Sequence, residues 1–396
     1  MSFARHAAPP PGDWINDPNG LIFAGGQWRL FVQHSDAAPD YKAIGWARFS
    51  SADLLHWAWD GPVIPPNDLG QAYSGSIVEE EGGLAAYLTR HDGGVQRQSR
   101  LTSCDDGLTW REGPPLGPEG RNVRDPFVFF CQATGDWRML VAEPCDWTDW
   151  GSDPPSRLAV WRNDGRSWMF VAHIGPWMPP GVMWEVPLLI DFGETQALVL
   201  SIVDRRSGTA DCAVRYWLGH FDGQSFVPDS PPGGLLLDQG PDFYAAMVGT
   251  GDAFGPILIA WASAWGTARA MPWPGGVRGG PITFPRHLRL NSQSKRLTQE
   301  PAVEIAPSFK KAWDGRKGLR IELRGDRDCT LTVKLDTTGV AVTRQGLDGL
   351  LDWNRRETLT LTGPQIIECY EDAGLIELFV RPAGLTITAF LPGAIL

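Results

Sequence analysis

The sequence predicts an all-β protein: a five-bladed β-propeller followed by a C-terminal β-sandwich. Three observations carry this. An acidic turn closed by an aromatic recurs as Asp53-Leu54-Leu55-His56-Trp57, Asp106-Gly107-Leu108-Thr109-Trp110, Asp164-Gly165-Arg166-Ser167-Trp168 and Asp222-Gly223-Gln224-Ser225-Phe226. The closing aromatics lie 53, 58 and 58 residues apart, the length of one four-stranded blade with its loops. Gly (46) and Pro (33) are so frequent that no stretch free of both exceeds 15 residues, which excludes helical bundles and membrane-spanning helices. From Gly318 onward, finally, the chain alternates apolar and polar residues with a period of two.

Each Asp-Gly makes a tight turn, and the aromatic then enters the sheet packing. The segments between are short and β-rich, for example Trp28–Val32, Arg138–Val141, Ala197–Val203 and Ile257–Trp261. Extending the period gives five blades by about residue 290. The propeller is therefore expected over 1–298 and a linker over 299–316. The sandwich is expected over 317–396, with Leu319–Arg324, Leu331–Leu335, Ile376–Val380 and Leu385–Phe390 as alternating strands.

Charge narrows the function. The net charge of −11 disfavours nucleic acid and anionic membranes as partners. Nineteen tryptophans offer flat faces for packing sheets or stacking on sugars. The six cysteines form no CxxC pair or zinc spacing, and the N-terminus shows no basic stretch followed by an apolar one. Free thiols in a reducing cytoplasm are the expectation. No HExxH, GxSxG or dinucleotide-binding pattern is present, so neither a metal nor a cofactor is expected.

Three carboxylates stand in unusual local sequence. Asp17 lies in Asp13-Trp14-Ile15-Asn16-Asp17-Pro18-Asn19-Gly20, where Pro18 keeps it out of the helical region and Asn19-Gly20 suits a turn. Asp125 follows Arg124 and precedes Pro126; the neighbouring cation favours the ionised carboxylate. Glu185 lies between Trp184 and Val186-Pro187-Leu188-Leu189. Apolar surroundings favour the protonated form that a general acid needs. Taken singly, each is equally an acid that organises a turn or faces solvent. They fall in blades one, three and four by the repeat, which can bring all three to one channel mouth. The loop holding Trp147 and Trp150 suits a sugar site or ordinary edge packing equally well.

At this point the sequence resembles glycoside hydrolase family 32, the invertase, inulinase and levanase family. Trp14–Gly20 is similar to the family's opening signature, and Leu30-Phe31-Val32-Gln33 and Trp46–Trp57 to the blocks that follow. Tyr73-Ser74-Gly75-Ser76, Arg124-Asp125-Pro126, Trp184-Glu185-Val186-Pro187, Asp242–Ala245 and Gly279–Leu290 continue the match in order. The resemblance implies the propeller-plus-sandwich fold and retaining hydrolysis of a β-fructofuranosidic bond. It implies Asp17 as nucleophile, Glu185 as acid/base and Asp125 as transition-state stabiliser. Asn16, Gln33, Trp46, Tyr73, Ser74 and Arg124 are implied around a terminal fructose, with Tyr244 and Asp222 as weaker members. Three departures stand out. Val186 replaces the usual Cys beside the acid/base. Tyr73 stands where Phe or Trp is usual. Ala47-Arg48-Phe49 replaces Gly-His-Ala, which points to Arg48 as an altered wall near the leaving group. The implied partner is sucrose or a short fructo-oligosaccharide. A fructosyltransferase, a sucrose-6-phosphate hydrolase with Arg205-Arg206 at the phosphate, and a catalytically silent fructoside-binding propeller are the alternatives.

Overall fold

The computed structural model describes residues 3–36, 43–145, 154–206, 211–249, 255–269, 271–349, 351–361 and 363–394. Trp147 and Trp150 lie outside them. Five antiparallel sheets span 14–64, 71–120, 124–174, 182–236 and 244–301. Each runs outward in chain order from an innermost strand: Trp14–Ala24, Gln71–Glu80, Arg124–Cys131, Val182–Asp191 and Tyr244–Gly249. These five strands contact one another in a closed ring, the first against the last. The predicted five-bladed propeller and its sandwich are what the chain forms.

The repeated turn is the one between a blade's third and outermost strands. The Asp53 carboxylate accepts from the backbone of Leu55 and His56, Asp164 from Arg166 and Ser167, and Asp222 from Gln224 and Ser225. In blade two the acceptor is Asp105, bonded to the Thr109 amide, rather than Asp106. Blade five uses Asn291, bonded to the amides of Gln293 and Ser294, so its copy escapes an Asp-Gly search. An Asx side chain closes each turn because it can mimic a backbone carbonyl.

The domain boundaries differ from the expected ones. The strand Arg296–Pro301 completes blade five, and Phe309–Trp313 already belongs to the sandwich, paired with Gln365–Asp372. Only 302–308 connects them, in place of the expected linker over 299–316. The sandwich consists of two four-stranded sheets. In the outer one the alternation is clean: Ile321 and Leu323 point into the core while Arg320, Glu322 and Arg324 face solvent.

The inner sheet is buried on both faces. Leu378 and Val380 enter the sandwich core, and Phe379 packs into the propeller core. Glu377, polar in the alternating pattern, is consequently fully buried between the domains. It accepts from Arg286 (2.5 Å), from the Phe284 amide (2.7 Å) and from the His6 ring (3.0 Å). Arg286 also reaches Asp238 at 2.9 Å and lies over the rings of Phe243 and Phe379. The backbone amides of Ala4, Arg5 and His6 converge on Asp372. Removing one member of such a network leaves the others buried and unpaired. Glu377→Ala is therefore expected to lower unfolding free energy by about 3–5 kcal/mol. Arg320→Ala, on the solvent face, should change it by less than about 0.5 kcal/mol. Denaturant unfolding of the two variants checks this.

Candidate active site

The innermost strands carry the three carboxylates together with Asn16, Tyr73, Ser74, Arg124 and Tyr244, and in all five the ladder is interrupted beside them. Register shifts fall at Ile15/Pro18 and Pro18/Gly20, Ala72/Gly75, Arg124/Phe127, Glu185/Leu188 and Tyr244/Met247. Asp125, Val186 and Ala245 take left-handed backbone angles, with φ of 61°, 46° and 50°. Bulges of this kind re-aim side chains at the cost of pairing. Gly75 meets a second requirement: a Cβ there would lie 1.8 Å from the Tyr87 carbonyl oxygen.

The interruptions direct Asp17, Asp125 and Glu185 into one cavity of about 510 Å³. Asp17 accepts from Asn16 Nδ2 at 2.9 Å and from the Ser74 hydroxyl at 2.6 Å. Asn16 in turn accepts from Trp14 Nε1 at 2.9 Å and donates to Gln33. Glu185 Oε1 accepts two bonds from Arg124, at 2.9 and 3.1 Å, and its Oε2 accepts from the Tyr244 hydroxyl at 2.6 Å. Asp125 Oδ2 accepts from the Val186 amide at 2.9 Å.

Burial acts on both aspartates in the same direction. Burial raises the Asp17 carboxyl to about 6, and Glu185 nearby adds to this, against the lowering effect of Ser74 and Asn16. Burial also raises Asp125; Arg124 pulls it down and Glu185 pushes it further up. The Tyr244 phenol is held well above its usual range by burial and by Glu185, so it stays a donor.

The residues expected around the ligand divide into three groups. Gln33, Tyr73, Ser74 and Arg124 line the cavity. Asn16, Trp46 and Tyr244 stand behind it: Asn16 and Tyr244 bond the carboxylates, and Trp46 Nε1 donates to the Tyr73 carbonyl at 3.1 Å. Trp46 is fully buried between blades one and two, so it supports the floor rather than forming it. Asp222 is elsewhere altogether. It closes the outer turn of blade four, and the repeat that singled it out is a turn repeat.

Three neighbour effects also differ from expectation. The Trp184 ring leaves Glu185 for a cluster with Trp177 and Trp217, because successive strand residues point to opposite faces. Arg48 is no wall of the site; it bonds Asp60 at 2.9 Å and the Asp106 carbonyl at 2.6 Å, between blades one and two. Arg205 and Arg206 part company. Arg205 lines the cavity, while Arg206 pairs with Asp204 at the surface. Tyr73 does line the cavity, its ring 4.8 Å from that of His91. The cavity also takes His91, Gln96, Arg121, Asn122, Trp265 and Arg269. Of these, only Arg121 and Asn122 carried a sequence signal, by preceding Arg124-Asp125-Pro126.

Carboxylates from three blades, differently hydrogen-bonded around one cavity, define a site for acid–base and nucleophilic chemistry on a small polar ligand. The model of the glycosyl hydrolases family 32 N-terminal domain matches residues 6–301, and the chain belongs to that family. The extracellular exo-inulinase of Aspergillus niger is 27% identical over 74% of this chain and 63% of its own length. The sucrose-6-phosphate hydrolase of Klebsiella pneumoniae is 29% identical over 98% of this chain and 88% of its own. The chain thus spans less than two thirds of the exo-inulinase. A β-fructofuranosidase of Schwanniomyces occidentalis, solved with fructosyl-erythritol, superposes with a TM-score of 0.78 at 18% identity, covering 98% of this chain and 91% of that one.

The raised Asp17 has a consequence for stability. Its folded value of about 6 lies above the ordinary carboxyl value. Between the two, the folded state binds more protons, so stability falls as pH rises through that window. Asp17→Asn removes the penalty. At pH 7 the variant is expected to be more stable than the parent by about 1–3 kcal/mol, and below about pH 3.5 the two should converge. Thermal unfolding at both pH values tests the sign.

Proposed function

We propose that this protein is a retaining β-fructosidase that releases terminal fructose from sucrose or short fructo-oligosaccharides. The observation that carries the reading is the convergence of Asp17, Asp125 and Glu185 in one cavity. Retaining glycosidases need a carboxylate nucleophile and a second carboxyl group that serves as acid and then as base. The named activities of relatives, exo-inulinase, levanase and sucrose-6-phosphate hydrolase, support fructosides as the substrate class.

In this reading Asp17, ionised above about pH 6, attacks the fructose anomeric carbon C2 while Glu185 protonates the departing oxygen. A covalent fructosyl ester on Asp17 results. Glu185 then takes a proton from water, which attacks C2 and restores the Asp17 carboxylate. The two Arg124 bonds occupy Glu185 Oε1, leaving Oε2, beside Tyr244, to carry the transferred proton. Asp125, anchored by the Val186 amide, accepts from fructose hydroxyls. Ser74 and Asn16 hold the nucleophile in line by bonding both of its oxygens.

One observation favours a second reading. Arg121, Arg205 and Arg269 line the same cavity as the carboxylates. Cations there suit an anionic leaving group, such as a glucose phosphate. The ratio of kcat/KM on sucrose 6-phosphate and sucrose decides. A preference of about 100-fold or more for the phosphate assigns the arginines to it.

Asp17→Asn is expected to lower kcat on fructosides by about 10³-fold or more. For the parent, kcat/KM should fall below about pH 6 as Asp17 takes up its proton. Proton NMR of the first product should show β-fructofuranose. Binding of fructosides without turnover on any of sucrose, kestose, inulin or levan would sink the enzymatic reading. Predominant trisaccharide at high sucrose would instead show transfer.

A further inference from the structure

Among the buried polar side chains of blade two that the proposed chemistry does not use are Thr89, Gln96 and Gln98. All three bond the segment that leads into Arg124 and Asp125. The Val123 amide donates to Gln96 Oε1 at 2.8 Å, and Gln98 Nε2 donates to the Val123 carbonyl at 2.7 Å. The Asp125 amide donates to Thr89 Oγ1 at 3.0 Å, and the Thr89 hydroxyl donates to Gln98 Oε1 at 2.7 Å. Thr89 and Gln98 face each other across their two strands. The chain of bonds has one polarity. Thr89 must accept from the amide and donate to the glutamine, and the Gln98 amide cannot flip without setting its oxygen against a carbonyl.

These bonds do a job that blade three leaves undone. Its innermost strand pairs Arg124 with Ala142 and resumes only at Phe127 with Leu140, so its own ladder does not take the Asp125 amide. Asp125 sits there at a φ of 61°, a conformation that persists only where the surroundings impose it. Burying an amide and a hydroxyl is costly unless both are bonded. Here every bond to Val123 and Asp125 comes at the point where the strand bends into the cavity. Arg124, between the two clamped residues, grips Glu185, and Asp125 anchors the Val186 amide.

We propose that Thr89, Gln96 and Gln98 form a positioning clamp that sets Arg124 and Asp125 in the cavity and, through Arg124, the carboxyl of Glu185. The catalytic part of this inference rests on the β-fructosidase reading; the clamp itself does not.

The test uses the full chain with Thr89→Val, which keeps shape and removes both hydroxyl bonds, and Thr89→Ser, which keeps the bonds. Turnover of sucrose and kestose is measured across pH, with hydrogen exchange of the 123–125 amides alongside. Thr89→Val should lower kcat on the order of 10- to 100-fold, with a smaller change in KM. Its pH–rate profile should shift, the 123–125 amides should exchange faster, and Thr89→Ser should recover kcat to within about threefold. Wild-type kcat and pH profile in Thr89→Val would overturn the clamp, whatever its melting temperature. If Thr89→Val does not fold, Gln98→Met, which lies outside the cavity lining and removes the bonds to the Val123 carbonyl and the Thr89 hydroxyl, is read in the same way. A parent without turnover on any fructoside defeats the function reading alone. The clamp is then judged by exchange, and unchanged protection of residues 123–125 in Thr89→Val overturns it.

Discussion

The backbone groups freed where the innermost strands break their ladders govern this molecule. A buried amide or carbonyl without a partner costs free energy comparable to a lost hydrogen bond. Around the cavity that partner comes from the preceding blade. Asn19 of blade one takes the Gly75 amide of blade two. Ser76 of blade two takes the Pro126 carbonyl and the Val128 amide of blade three, and Thr89 takes the Asp125 amide. Asp125 of blade three takes the Val186 amide of blade four. The bulges of blades two, three and four are thus satisfied by the preceding blade, so Ser74, Arg124, Asp125 and Glu185 are positioned by neighbouring blades as well as by their own sheets.

The same geometry explains why the site works against the fold that carries it. Removing Asp17 and Asp125 from water raises both carboxyls, and holding them near Glu185 adds repulsion. Ser74, Asn16, Arg124 and Tyr244 offset part of this by bonding the charged oxygens. The remainder is carried by the apolar packing of the blades and by the seam with the sandwich. There Arg286, Glu377, Asp238 and His6 are buried but mutually bonded. In that role the sandwich is a brace beneath the propeller.

Val186 shows how a departure in sequence is reinterpreted by structure. Its place beside Glu185 directed attention to the acid/base. In the fold its amide bonds Asp125, and its side chain joins an apolar cluster with Met183 and Tyr244. A β-branched residue at a φ of 46° is strained. The position therefore bears first on Asp125, through the backbone, and only then on its neighbour in sequence.

Much was legible from residue order. Turn chemistry is local, so Asp53, Asp164 and Asp222 marked blade edges correctly, and Pro and Gly ruled out a helical bundle. The alternation beyond Gly318 marked the sandwich, and unusual flanking residues marked Asp17, Asp125 and Glu185. The family resemblance misled at Asp222, a turn acid that it implied as a ligand of the site, and the local turn pattern missed Asn291, where a chemically equivalent turn went unseen. Trp46 and Arg48 could not be placed from sequence, because their roles lie in contacts between blades. Nor could Thr89, Gln98 and Glu377, polar residues in strands whose buried faces are created by a neighbouring blade or domain. Strand period and turn type depend on a few adjacent residues; which polar group is buried, and against what, depends on segments that the chain brings together only on folding.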